Sequence, residues 1–226
     1  MKTIEILYPE LCGIYGDKMN MKYLSKCSNK LKFIETSHKD IPYFIKHNVD
    51  MIYIGPMTED MQEVFINTLM PYKKEVKKLI EDGKVFFVTG NALEIFGKYI
   101  MDGKRKIKCL DIFDYYAVRD RSDVLNYQGI GKFNGFDVII HKVLFSKCYG
   151  KFNPFIIKDS GLGMNDTYPN EGVHYKNFFG TYSLGPFLII NPLFTEYLLK
   201  LLGLKDEIAY KDDIIDAYLD RLNKMR

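Results

Sequence analysis

The sequence predicts an α/β protein, with a doubly wound, mostly parallel sheet flanked by helices in a three-layer sandwich. Three observations carry that expectation. Met51-Ile52-Tyr53-Ile54 and Val85-Phe86-Phe87-Val88 are uninterrupted apolar runs of the kind that strands covered on both faces require. Segments of helical spacing alternate with such runs through residue 100, the pattern of a parallel sheet with crossover helices. A chain of 226 residues, 47% hydrophobic, is long enough to bury one large core.

Taken in order, Ile4, Ile6 and Leu7 mark a first strand, and Tyr15-Gly16-Asp17-Lys18-Met19-Asn20 leads into a helix with Met21, Leu24 and Cys27 on one face. Asp17 at that helix start reads as a cap rather than a ligand. Residues 31–36 give a second strand, 41–48 a short helical or turn segment, and 51–55 the third strand. The Lys73-Lys74-Glu75-Val76-Lys77-Lys78 cluster reads as a solvated helix face. The next strand runs into Thr89-Gly90-Asn91, which supplies turn and cap chemistry, and helical spacing resumes at Ala92. A sharp strand-turn-helix corner is where α/β sheets present a nucleophile, yet none of the usual kind stands here.

Beyond the corner, residues 101–104 form a hairpin or loop, 107–118 alternate as short strands, and Arg119-Asp120-Arg121-Ser122-Asp123 reads as a charged surface loop. His141 reads as the close of a strand rather than a catalytic base. Residues 192–202 form a helix stopped by Gly203, and 211–225 a second helix with Ile214, Ile215, Ala217, Tyr218 and Leu222 on one side. That last helix either covers the core or meets a partner.

A formal net charge of +3 gives no reason to expect nucleic acid. The four cysteines, Cys12, Cys27, Cys109 and Cys148, form no Cys-x-x-Cys pair and have no histidine at zinc-ligand spacing, so neither metal nor cofactor is expected. They read as reduced, mostly buried thiols. The amino terminus lacks a signal-peptide core and no apolar run approaches the ~20 residues of a membrane span, so no membrane association is expected and the location expected is the cytoplasm.

The corner, 83–97, resembles the nucleophile elbow of class I glutamine amidotransferases of the cobyric acid synthase (CobB/CobQ) type, which have a flavodoxin-like fold. That family reads roughly Cys-Gly-Gly-Tyr-Gln-Leu-Leu-Gly here. A gapless register on Ile95-Phe96-Gly97 puts Gly90 in the cysteine slot and Glu94 in the glutamine slot. Placing Thr89 there instead needs an inserted residue, which would rotate the following helix by about 100°. Three further stretches carry the resemblance. Leu7-Tyr8-Pro9-Glu10 with 15–20 is similar to the family's opening, and 55–62 to its glycine-rich oxyanion loop. Gly180-Thr181-Tyr182-Ser183-Leu184-Gly185-Pro186 is similar to its Gly-Thr-Tyr-Leu-His-Gly-Pro. Gly161-Leu162-Gly163-Met164-Asn165-Asp166 falls where the family has a glycine-rich loop, and is too generic to read as a phosphate cradle.

The resemblance implies that residues 1–203 form the amidotransferase-like domain and 204–226 a helical extension. It also implies that three catalytic pieces are missing. Gly90 replaces the thiol and Leu184 the basic histidine, while Pro56 stands where a loop glycine would lend an N–H to the oxyanion hole. The expected function is that of a degenerate, non-catalytic relative that binds a partner or a small ligand through Gly55, Pro56, Thr89, Gly90, Asn91 and Tyr182. The partner implied is a synthetase or Mur-ligase-like subunit. The alternative is an enzyme of different chemistry, using Thr89, Glu94, Cys109 or Cys148 with His141 or His174. His174 is expected at the start of the strand that carries Thr181.

Overall fold

The structure, a computed structural model, describes residues 1–158 and 162–226. In chain order its first half runs β1 (Lys2–Leu7), α1 (Met19–Cys27), β2 (Leu31–Thr36), β3 (Met51–Ile54), α2 (Glu59–Leu69), α3 (Lys73–Glu81) and β4 (Val85–Thr89). The second half opens on a 3₁₀ turn, Gly90–Phe96, and continues through β5 (Tyr99–Asp102), β6 (Arg105–Lys108), β7 (Tyr115–Arg119), β8 (Leu125–Phe133), β9 (Phe136–Leu144), β10 (Ser146–Gly150) and β11 (Ile157–Lys158). It ends with β12 (Val173–Tyr175), β13 (Phe178–Thr181), α4 (Phe187–Ile190), α5 (Pro192–Leu201) and α6 (Lys211–Met225).

The central sheet has the order β12-β13-β4-β3-β1-β2, and every pairing in it is parallel except β12–β13 at one edge. Alternation along its middle strands builds the three layers, because successive side chains leave a strand on opposite faces. Ile52, Ile54, Phe86 and Val88 pack with Phe65 and Leu69 of α2 and Val76 and Ile80 of α3. Met51, Tyr53, Val85 and Phe87 pack on the other face with Leu24 of α1 and Phe194 and Leu198 of α5. The lysines of 73–78 lie on the outer side of α3, whose buried residues are Val76 and Ile80.

Two smaller sheets, β10-β7-β5-β6 and β11-β8-β9, are built from the segment between β4 and β12. Residues 101–104 close the β5–β6 hairpin. Helix α6 lies on the second small sheet, where Tyr218 and Leu222 pack with Ile130 and Ile139 and the Tyr218 hydroxyl donates to the Asp137 carbonyl at 2.7 Å.

Several local expectations are corrected. The corner runs into a 3₁₀ turn instead of an α-helix from Ala92, because the carbonyls an α-helix would need are engaged elsewhere. Leu93 O accepts from the Tyr115 hydroxyl at 2.7 Å, and Ile95 O from Leu110 N at 2.9 Å. Arg119 is no surface residue: its guanidinium is 1% exposed. His141 sits within β9 and does not close it. His174 belongs to β12, a separate antiparallel strand, because the chain turns at Lys176 with φ +52° before β13 begins. Of the stretch 161–166, Gly161 lies outside the described residues.

Candidate functional site

The parallel strands β3, β4 and β13 end side by side, so the loops that follow them meet at one corner of the sheet. Pro56 follows β3, Gly90 follows β4 and Leu184 follows β13. Gly90 has φ +60°, a left-handed conformation that a Cβ disfavours. A Cβ built there would lie 2.5 Å from Pro56 Cβ and 3.1 Å from Leu184 Cδ2. Gly90, Pro56 and Leu184 thus converge on a single point.

Around that point is a cavity of about 120 Å³ whose walls include Pro56, Met57, Gly90, Asn91, Tyr182 and Leu184. Asn91 does not cap a helix. Its side chain bridges the facing loop, accepting from Met57 N at 3.1 Å and donating to Met57 O at 2.8 Å. The N–H that follows Pro56 is therefore already taken, and Pro56 has none to give. Of the residues expected to line one pocket, Pro56, Gly90, Asn91 and Tyr182 do so, while Gly55 lines a different cavity and Thr89 is wholly buried beneath the corner.

Thr89 leads to the residue that sequence reasoning misplaced. Its hydroxyl donates to Asp17 Oδ2 at 3.0 Å. Asp17 is fully buried and caps nothing: Lys18 holds the cap position of α1 without a side-chain cap. Its carboxylate also accepts from Asn20 Nδ2 at 3.0 Å and from the Tyr53 hydroxyl, which ties α1, β3 and β4 together. Burial pushes its pKa up to about 7, against the opposing pull of the hydrogen bonds from Tyr53, Thr89 and Asn20. An aspartate two residues before a helix gives no sequence signal that separates a cap from a buried tie.

Behind the cavity lies a second buried polar cluster. Glu94, wholly buried, accepts from the Tyr182 hydroxyl at 3.1 Å and from Gln62 Nε2 at 3.2 Å, with Arg119 Nη2 at 3.8 Å. Arg119 also reaches Asp102 Oδ2 at 3.1 Å and donates to Gln62 Oε1. Desolvation raises the Glu94 pKa and the Arg119 charge opposes it. Cys148 Sγ lies 3.0 Å from the Tyr182 hydroxyl, and burial pushes the Cys148 and Cys109 thiols well up, away from the reactive thiolate. Among the described residues no hydrogen bond joins either thiol to His141 or His174. His174 bonds Lys176 O and stacks on Phe179, and the His141 backbone is bonded to Ser183 and Leu184. Burial lowers the pKa of both imidazoles. Among the described residues no group of three or more His, Cys, Asp or Glu side chains could hold a metal ion, and no helix is long and apolar enough to cross a membrane.

A doubly wound sheet with its strand-end loops converging on a corner after β4 is a flavodoxin-like architecture, which class I glutamine amidotransferases share. The comparisons agree with that class. Residues 3–191 match the CobB/CobQ-like glutamine amidotransferase domain, and the chain belongs to that family. It is 27% identical over 242 residues to the lipid II isoglutaminyl synthase (glutamine-hydrolyzing) subunit GatD of Streptococcus pneumoniae (strain ATCC BAA-255 / R6), a match covering 98% of this chain and 87% of that one. With the corresponding GatD subunit of Staphylococcus aureus (strain N315) it shares 27% identity over 188 residues, covering 78% and 77%. A crystal structure of a glutamine amidotransferase superposes with a TM-score of 0.58 at 14% identity, covering 89% of this chain and 99% of that one, which is a likeness of fold.

Proposed function

We propose that this chain is a degenerate glutamine amidotransferase-like subunit, without glutaminase activity, that serves an assembly as a binding or structural partner. The observation that carries the reading is the convergence of Gly90, Leu184 and Pro56 within 3.1 Å of one built Cβ. Amide hydrolysis by a thiol needs a nucleophile, a base that takes its proton, and donors facing the oxyanion. At those places Gly90 offers no nucleophile, Leu184 no base, and Pro56 no N–H. In a comparable triad, loss of the nucleophile alone costs on the order of a millionfold in rate, about 8 kcal/mol of barrier. The cavity of about 120 Å³ is also smaller than the ~300 Å³ at which small-molecule sites begin, which favours a protein partner over a small ligand at this corner. Both GatD relatives are named as subunits of a synthase, so the partner expected is a synthetase or Mur-ligase-like subunit.

The Thr89–Asp17 hydrogen bond favours a second reading, a threonine nucleophile with an aspartate base. Against it, Thr89 has no exposed surface, and Asp17 already serves Tyr53 and Asn20. Ammonia release from L-glutamine separates the two readings. The purified chain should release none above a heat-treated control. Release that survives further purification and disappears in Thr89→Val would overturn the proposal in favour of the second reading.

A further inference from the structure

In the strand order β2-β1-β3-β4 the chain steps from β1 outward to β2, then returns past β1 to β3 and continues to β4, so the direction of winding reverses between β1 and β3. In open α/β sheets the crevice outside the strand carboxyl ends at such a reversal is where ligands bind. This protein has a cavity of about 730 Å³ beside that reversal, within the ~300–1,000 Å³ of small-molecule sites. It shares no wall residue with the corner cavity.

Its chemistry is divided by face. Ile6 of β1 and Phe33 of β2 form an apolar floor and stay only partly buried, while Ile4 and Leu31 nearer the strand starts are covered. Lys18 and Lys22, one helical turn apart at the start of α1, stand on one wall, and Glu35 at the end of β2 stands on another. None of these three has an ion pair or a side-chain hydrogen bond among the described residues, whereas Glu10 on the rim is held by Ser37 and His38. The chain of Lys18 lies across Gly13, where φ is +96° and a Cβ would sit 2.4 Å from Lys18 Cε. Glycine there leaves the lysine room to lie across the loop at the cavity mouth.

We propose that this cavity binds a nucleotide, with the base on Ile6 and Phe33, the sugar hydroxyls donating to Glu35, and the phosphate between Lys18 and Lys22. Lys18 and Lys22 are solvent-exposed and free to turn toward a ligand, and two ammonium groups a turn apart match a doubly charged phosphate better than a single carboxylate. The exposed Glu35 carboxylate across the cavity can exchange its water for the hydroxyls of a ribose diol, which donate to it. An apolar amino acid zwitterion would also answer both signs of charge, but it leaves one lysine unmatched and most of the volume empty.

Titration calorimetry tests this with the four nucleoside 5′-monophosphates, adenosine, inorganic phosphate and L-phenylalanine as probes. At least one nucleotide should bind saturably, more weakly as salt rises and at least tenfold more weakly to Lys18→Ala/Lys22→Ala. Glu35→Ala should weaken it severalfold, and Ser25→Phe, which adds a ring from the α1 side without touching a charge, should abolish it. Unchanged thermal unfolding of the variants checks that the fold is kept. The proposal is overturned if no nucleotide binds at millimolar concentration, if phosphate alone binds as tightly, or if phenylalanine binds and the nucleotides do not. The readout is independent of glutamine hydrolysis, so this proposal and the functional reading fail separately.

Discussion

Gly90 is held in place by two constraints that can be measured apart. Its left-handed backbone costs any residue with a Cβ about 1–2 kcal/mol, and pressing a methyl group against Pro56 adds about 1–3 kcal/mol. Gly90→Ala should therefore lower stability by roughly 2–5 kcal/mol in urea unfolding, and Pro56→Gly should restore part of that loss in the double variant. Additivity of the two changes would mean that the loops do not touch. Asp17 makes a different prediction. Its pKa is raised from 3.8 to about 7 in the folded state, so the native protein holds the proton more tightly than the unfolded chain does. The contribution is fully present below about pH 4 and is lost as pH rises through about 7. Asp17→Asn, which cannot ionise, should flatten the fall in stability across that window. Unfolding midpoints that fall with pH as steeply in the variant as in the wild type would remove Asp17 as the cause.

Elements whose burial is one- or two-sided along a simple period were legible in the sequence. The strands 31–36, 51–54 and 85–88, the helix ending before Gly203 and the helix 211–225 all fall where apolar spacing and glycine punctuation put them. What periodicity misses are elements fixed by distant polar partners. Arg119 lies in a charged run, and only the structure brings Glu94, Gln62 and Asp102 to meet it at the end of β7. The β12–β13 hairpin hides in a stretch read as one strand, since a turn through Lys176 at positive φ has no glycine to announce it. Among the candidate site residues, Gly90, Pro56, Tyr182 and Leu184 were legible through motif order, while the link from Asp17 to Thr89 was not, because the two lie 72 positions apart. The Arg119 cluster carries its own test. Removing one partner of a buried ion pair leaves an uncompensated charge and costs roughly 3–5 kcal/mol. Arg119→Met should lose about that much in urea unfolding, and Glu94→Gln in the same chain should recover a measurable part. No recovery would mean that Glu94 is not the charge Arg119 compensates.

At the scale of the whole molecule the question is whether the end of the family match is also a folding boundary. The match stops at residue 191, and the sequence places the domain's end at 203 with a helical extension beyond it. The packing argues that the extension belongs to the core. Leu204, Ile208, Tyr218 and Leu222 are each at most 7% exposed, and burying a large apolar side chain contributes about 1.5–3 kcal/mol. Four of them amount to roughly 6–12 kcal/mol as an upper bound, comparable with the ~5–15 kcal/mol by which a whole domain is stable. The extension also braces the site at one remove. Helix α6 lies on β8 and β9, and the β9 backbone accepts the Leu184 N–H at 2.8 Å through His141 O. A chain ending at Gly203 should therefore lose cooperative thermal unfolding or show a steeply lowered midpoint. If it retains a fold, hydrogen exchange should rise most in 125–144 and around Leu184, and least in β3 and β4. A truncated chain with an unchanged midpoint and unchanged exchange in 125–144 would show that residues 204–226 are a separable appendage, available to a partner, and that the corner holds its shape without them.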